Sequence, residues 1–148
     1  RVDSSVARQG VLEFTTQELA AYPDNPFARI RAVRALIGEG RLKEAREGLD
    51  LLAVAWPPIA ILLELRFRLL AAEGRKDEAI AMRDSAVKSA ALAASLEPLN
   101  PRHRMQAGRL WLDPPELADR AKARAQFEAA LALDPASEEI RALIKRTE

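Results

Sequence analysis

The hexapeptide Gly40-Arg41-Leu42-Lys43-Glu44-Ala45 returns as Gly74-Arg75-Lys76-Asp77-Glu78-Ala79, with both the glycine and the alanine displaced by 34 residues. That period suits a helix–turn–helix unit repeated along the chain. A single helical hairpin cannot bury its own apolar face, so such units fold only as stacks, and the stacks present long surfaces suited to binding.

The same ruler finds a third unit in Ala107-Gly108, Trp111, Ala123, Phe127, Ala130 and Asp134-Pro135. Small residues fit where the two helices of a hairpin cross closely, larger apolar ones fill the space to the next hairpin, and proline stops the second helix. This pattern resembles the tetratricopeptide repeat over roughly residues 23–135. The resemblance implies an all-α, right-handed α-α superhelix of about seven to eight antiparallel helices, whose first helices line a concave groove that binds protein or peptide. The first two repeats depart from the pattern. Val33 and Phe67 stand where the third repeat has Gly108, and Arg83 stands where it has Phe127.

Read this way, the chain is one domain, 1–148: a truncated leading half-repeat (1–25), repeat 1 (26–58), repeat 2 (59–98), repeat 3 (99–135) and a capping helix (136–148). The leading helix stops at Tyr22-Pro23-Asp24-Asn25-Pro26, with Asn25 as N-cap and Pro26 in the first helical position. Trp56-Pro57-Pro58 closes repeat 1. The second helix of repeat 2, Asp77 to Glu97, is seven residues longer than the template; that is about two helical turns, so its inward face drifts only ~20° and both Ala79 and Ala86 can face inward. In repeat 3 the turn Asp113-Pro114-Pro115-Glu116 is long, with Asp113 expected to end one helix and cap the next, which should run Glu116 to Leu133. Glu138 and Glu139 favour a last helix starting after Ser137 and ending near Arg146.

Twenty-three basic and 22 acidic residues leave a net charge of +1, which argues against a general nucleic-acid coat. Without cysteine there is no disulfide, thiol nucleophile or cysteine metal site. The longest apolar run, Leu49 to Leu63, is broken by Asp50 and Pro57-Pro58, so no membrane insertion is expected. The chain opens on Arg1 with no leader-like apolar core and reads as part of a longer polypeptide. Catalysis is poorly supplied: the single histidine, His103, sits between Arg102 and Arg104, and no G-x-S-x-G, H-x-x-x-H or D-x-D-x-D-G spacing occurs. The expectation is a non-enzyme without metal or cofactor.

Aligning the repeats on Pro26, Ala60 and Pro101 puts Arg34, Arg68 and Arg109 at the ninth position of each first helix. In the resembled family that position faces the groove. Arg31 and Arg102 extend this ladder, Glu64 interrupts it, and Phe27, Ile30, Leu65 and Met105 supply apolar lining. Guanidinium groups suit carboxylates, so the ligand implied is an acidic peptide or a free C-terminus. The bland reading is that these arginines merely solvate the surface. No asparagine lies in the first helices, unlike the family's chaperone-binding carboxylate clamp. Trp111 matches a core position. The charged stretches Arg41 to Glu47 and Asp119 to Arg124 read as solvated helix surface. Self-association through the end helices is a further expectation. A second reading follows from the Leu-x-Pro-Leu-Asn-Pro-Arg linker at Leu96–Arg102, which resembles soluble tails of bacterial O-antigen polymerase or ligase-type membrane enzymes. That implies an extracytoplasmic rather than a cytoplasmic domain.

Overall fold

The computed structural model describes residues 4–55 and 59–148; Trp56-Pro57-Pro58, expected to close repeat 1, lies outside them. Among the described residues there is no strand. The helices are α1 (Ser4–Ala21), α2 (Pro26–Gly38), α3 (Leu42–Ala55), α4 (Ile59–Ala72), α5 (Lys76–Leu96), α6 (Pro101–Leu112), α7 (Arg120–Leu133) and α8 (Glu138–Arg146), with one 3-10 turn at Pro115–Leu117. The packing falls into two compact units, Arg1–Arg75 and Lys76–Glu148, divided at the turn that follows Gly74.

The repeated Gly-Arg pair is explained by how α2 and α4 end. Gly40 has φ +74° and Gly74 φ +76°, a left-handed conformation that a side chain resists. In the first turn the Gly40 N–H donates to the Ile37 carbonyl at 3.1 Å and the Arg41 N–H to Leu36 at 2.9 Å; in the second, Gly74 donates to Ala71 at 3.1 Å and Arg75 to Leu70 at 3.0 Å. Each is a Schellman stop that satisfies the last helical carbonyls and turns the chain back. Helix starts are equally local. Asn25 Oδ1 accepts from the N–H of Phe27 at 2.9 Å and Asn100 Oδ1 from that of Arg102 at 3.0 Å, each ahead of a proline at the first helical position.

In the first unit Ile30 and Val33 of α2, Ala45, Leu49 and Leu52 of α3, and Leu62, Leu65 and Leu69 of α4 form one buried cluster. The α3 set recurs at helical spacing, so one face of that helix supplies it. In the second unit Met105 and Leu112 of α6, Ala123, Phe127 and Ala130 of α7, and Ile140 and Leu143 of α8 form the corresponding cluster. Gly108 lets α6 and α7 approach closely: a Cβ built there would overlap the Phe127 ring. The long α5 turns Ala79, Ala86, Ala90 and Ala94 inward, with Arg83 on the same face between the first two, so small residues line that face through the extra turns.

The turn between α6 and α7 differs from expectation. Asp113 does end α6, its N–H donating to the Arg109 carbonyl at 3.0 Å, but it does not cap α7. Asp119 does so, accepting from the Lys122 N–H at 3.0 Å, and α7 starts at Arg120 rather than Glu116. Pro114 and Pro115 cannot continue a helix, and the backbone makes one tight turn before Asp119 offers a side-chain cap. The Asp119 N–H also donates to the Trp111 carbonyl at 2.7 Å, which pins the turn to the end of α6.

Arg83, at the position where the third repeat carries a phenylalanine, is nearly buried. Its guanidinium donates to the Leu117 carbonyl in that turn and lies 4.6 Å from the centre of the Trp111 ring. Lys122 Nζ lies 4.5 Å from the same ring. Trp111 thus packs at the edge of the core with two cations on it. Lys122, expected to be ordinary solvated surface, has a defined aromatic partner.

Candidate functional site: the ladder arginines and the cleft on α6

Most ladder arginines meet carboxylates of this same chain. Counting from Pro26, Ala60, Pro101 and Pro135, the ninth-position arginine of one first helix pairs with the fifth-position glutamate of the next, 30 residues on. Arg34 of α2 donates to both carboxylate oxygens of Glu64 in α4, at 2.7 and 3.2 Å. Arg109 of α6 donates to Glu139 of α8 at 2.8 Å. Arg68 has no glutamate 30 residues ahead and turns back to Glu64 at 3.2 Å, so one nearly buried carboxylate is held by two guanidinium groups. Glu64, expected to interrupt the ladder, is its anchor in the first unit. Arg31 joins α2 to α1 through Glu18, Nε to Oε2 at 2.9 Å, and holds that carboxyl below the usual carboxylate range through this hydrogen bond and its charge.

Of the apolar groove residues, Ile30 and Leu65 lie inside the first unit's core, with Leu65 fully buried, and present no surface to a ligand. Their correction has a simple cause, since both fall on the stripe that α2 and α4 share with α3. Phe27 is half exposed at the other end of α2, beside the Pro23–Pro26 linker.

The second unit does gather part of the expected set. Arg102, Met105 and Arg109 stand at i, i+3 and i+7 on α6 and line a cleft of about 420 Å³ with Pro101, Asp134, Ser137 and Glu139. Met105 is a buried floor; Arg109 and Glu139 form the wall, with Glu139 65% exposed. Ser137 caps α8 by accepting from the Ile140 N–H at 3.2 Å, so the helix start that carries Glu139 is fixed. Two further contacts hold α8 in place: Arg146 to Asp113 at 2.9 Å, and Arg120 to the Glu148 carbonyl at 3.2 Å. Chemically the cleft offers charged donors over an apolar floor.

His103 lies on α6 with Nε2 3.4 Å from Glu97 Oε1. Asn100 Nδ2 donates to the other Glu97 oxygen at 3.2 Å, and Asn100, then His103, hold the Glu97 carboxyl below its usual range. The histidine thus sits beside the linker between α5 and α6. Among the described residues no three His, Cys, Asp or Glu side chains are placed to hold a metal ion, and no helix is long and apolar enough to cross a membrane.

No protein-family model matches the chain, and no curated protein matches it. Among solved structures it is similar to a thermophilic TPR protein from Thermus thermophilus, with a TM-score of 0.63 and 21% identity, covering 95% of this chain and 72% of that one. The fold is tetratricopeptide-like. At that identity the likeness shows the fold alone, an all-α helical repeat. The inter-repeat Arg–Glu pairs of this TPR-like chain had a visible trace in the sequence, an arginine and a glutamate twice separated by 30 residues. It was missed because the closing Pro135 also opens the next unit, which makes α8 a fourth first helix as well as a cap.

Proposed function

We propose that the chain is a protein- or peptide-binding scaffold domain of a longer protein, working through the exposed faces of its first helices. The observation that carries this reading is the cleft on α6, where Arg102 and Arg109 flank Met105. Glu139, exposed and held by Arg109, occupies the place that a ligand carboxylate would take, so an acidic segment or free C-terminus is the ligand chemistry that fits. Arg31, Arg34 and Arg68 add positive charge along α2 and α4 but spend donors on Glu18 and Glu64. No catalytic role is proposed for His103.

The test is affinity capture with the wild-type chain beside two variants, Arg102→Ala/Arg109→Ala and Arg34→Ala/Arg68→Ala/Arg109→Ala, after circular dichroism shows equal helicity. A partner held by the wild type and lost by both variants supports the reading. Equal capture by all three returns the arginines to solvated surface. A second reading, an extracytoplasmic tail of an O-antigen polymerase or ligase-type membrane protein, draws on the linker ahead of α6, where Leu96 and Leu99 are exposed. Apolar spans preceding the domain in its parent chain would support it, and a hydrophilic preceding sequence would remove it.

A further inference from the structure

The cleft on α6 has walls of opposite charge. Arg102 and Arg109 line it from α6, while Asp134 and Glu139 line it from the end of α7 and the start of α8. Arg109 and Glu139 close on each other at 2.8 Å. The other two charges stay open: Arg102 and Asp134 are exposed, and among the described residues neither side chain takes part in an ion pair. Asp134 serves the end of α7 through its backbone alone, its N–H donating to the Ala130 carbonyl at 3.1 Å and its carbonyl accepting from the Ser137 N–H at 3.2 Å. Its carboxylate is therefore available to a ligand. Taken together the four charges cancel. A purely acidic ligand that draws Arg109 from Glu139 leaves Glu139 and Asp134 facing it, like charge against like, and that opposes binding.

We infer that the cleft takes an extended segment of a partner protein in which an aspartate or glutamate stands directly beside a lysine or arginine. This rests on the reading of the α6 cleft as the ligand site and narrows it: the acidic group comes joined to a base. The ligand carboxylate lies against Arg102 and Arg109 and the neighbouring cation against Asp134 and Glu139, so every charge in the cleft is matched. The segment is extended because successive side chains of an extended chain point to opposite sides and reach both walls at once. On a helix the charged neighbours stand three or four residues apart and share one face, so they would meet only one wall. Met105, buried at the floor, gives the aliphatic stem of the lysine or arginine an apolar surface to cross.

The test uses the whole chain and short peptides blocked at both ends and otherwise built of alanine and serine. One carries Lys-Glu at its centre, one Gln-Glu, and one Lys-Ala-Glu, in which both charges fall on the same side of an extended chain. Binding is followed by fluorescence anisotropy, and its place by amide chemical shifts. The Lys-Glu peptide is expected to bind about fivefold more tightly than either of the others, with shifts centred on residues 101–109 and 134–139. The chain's net charge of +1 would by itself favour the more acidic Gln-Glu peptide, so this order does not come from bulk attraction. Asp134→Asn should bring Lys-Glu and Gln-Glu within about twofold of each other, with helicity unchanged because the Asp134 side chain holds no helix end. Equal affinity for Lys-Glu and Gln-Glu, equal affinity for Lys-Ala-Glu, or a preference that survives Asp134→Asn would overturn the inference. If binding is then still lost in Arg102→Ala/Arg109→Ala, the α6 cleft remains the ligand site and only the paired-charge ligand falls. If no blocked peptide binds at millimolar concentration but one with a free C-terminal carboxylate does, the inference falls as well, because the cleft then takes a chain end. If that peptide fails too, the reading of the cleft falls with it.

Discussion

The same clasp is built twice, with opposite consequences. In the first unit Arg34 and Arg68 converge on a Glu64 side chain that is almost fully buried, so both guanidinium groups are committed to a carboxylate that cannot leave. In the second unit Arg109 meets Glu139 at a similar distance, but this pair lies in the open beside Arg102 and above Met105. A buried pair that loses one partner leaves an uncompensated charge, whereas an exposed pair exchanges readily with solvent or ligand. One repeated spacing therefore gives a structural rivet in one unit and an exchangeable contact in the other. Periodicity alone does not distinguish them; burial does.

The largest effect should come from the crossing of α6 and α7. Phe127→Ala empties a fully buried ring site and is expected to cost about 4 kcal/mol in urea unfolding. Gly108→Ala pushes a methyl into that ring and should cost about 2 kcal/mol. The first unit has a milder counterpart in Gly48→Ala, where the added Cβ would lie 2.9 Å from one Val33 methyl. There the gain in helix propensity, about 1 kcal/mol, should nearly offset the crowding. Similar losses at Gly48 and Gly108 would break the distinction between the two helix crossings.

Next in size is the clasp itself. Glu64→Gln leaves Arg34 and Arg68 facing each other and should destabilise by about 2 kcal/mol, while Glu139→Gln should stay within about 0.5 kcal/mol. Equal losses in thermal unfolding would contradict the assignment of rivet and exchangeable contact. Gly40→Ala, forced into a left-handed conformation, should cost about 1 kcal/mol. The smallest effect concerns pH. Because Arg31 depresses the Glu18 pKa, the stability from this pair is present above the unfolded value of about 4.3 and is lost as pH falls through the lower folded value. An NMR titration of Glu18 should give a midpoint below about 4.3 that moves back up with Arg31→Gln.

Much of the fold was legible because its determinants are local. The glycine turns after α2 and α4, the Asn25-Pro26 helix start and the inward Ala79 and Ala86 of α5 each depend on residues a few positions apart, and the structure shows them. The candidate site was legible only in part. Arg102, Met105 and Arg109 share a helix and so share a cleft, but the partners of the arginines come from other helices, 13 residues away for Arg31 and 30 for Arg34 and Arg109. Ile30 and Leu65 looked like groove lining because a helix facing both core and solvent presents apolar residues near either boundary. Arg83 stood out in the sequence as the wrong residue at a phenylalanine position. Where its charge goes depends on Trp111 and on a turn whose cap, Asp119, was hidden behind the more obvious Asp113.

The most direct test of exchangeability at Arg109 is the affinity of an unstructured acidic peptide with a free C-terminus for four forms of the chain: wild type, Glu139→Gln, Arg109→Ala and Glu64→Gln. Removing a competing internal carboxylate should tighten binding several-fold in Glu139→Gln, binding should be lost in Arg109→Ala, and Glu64→Gln should bind as wild type while unfolding more easily. If Glu139→Gln binds no better than wild type, or if Arg109→Ala retains full affinity, the Arg109–Glu139 pair is a rivet like its counterpart and the α6 cleft is not the ligand site.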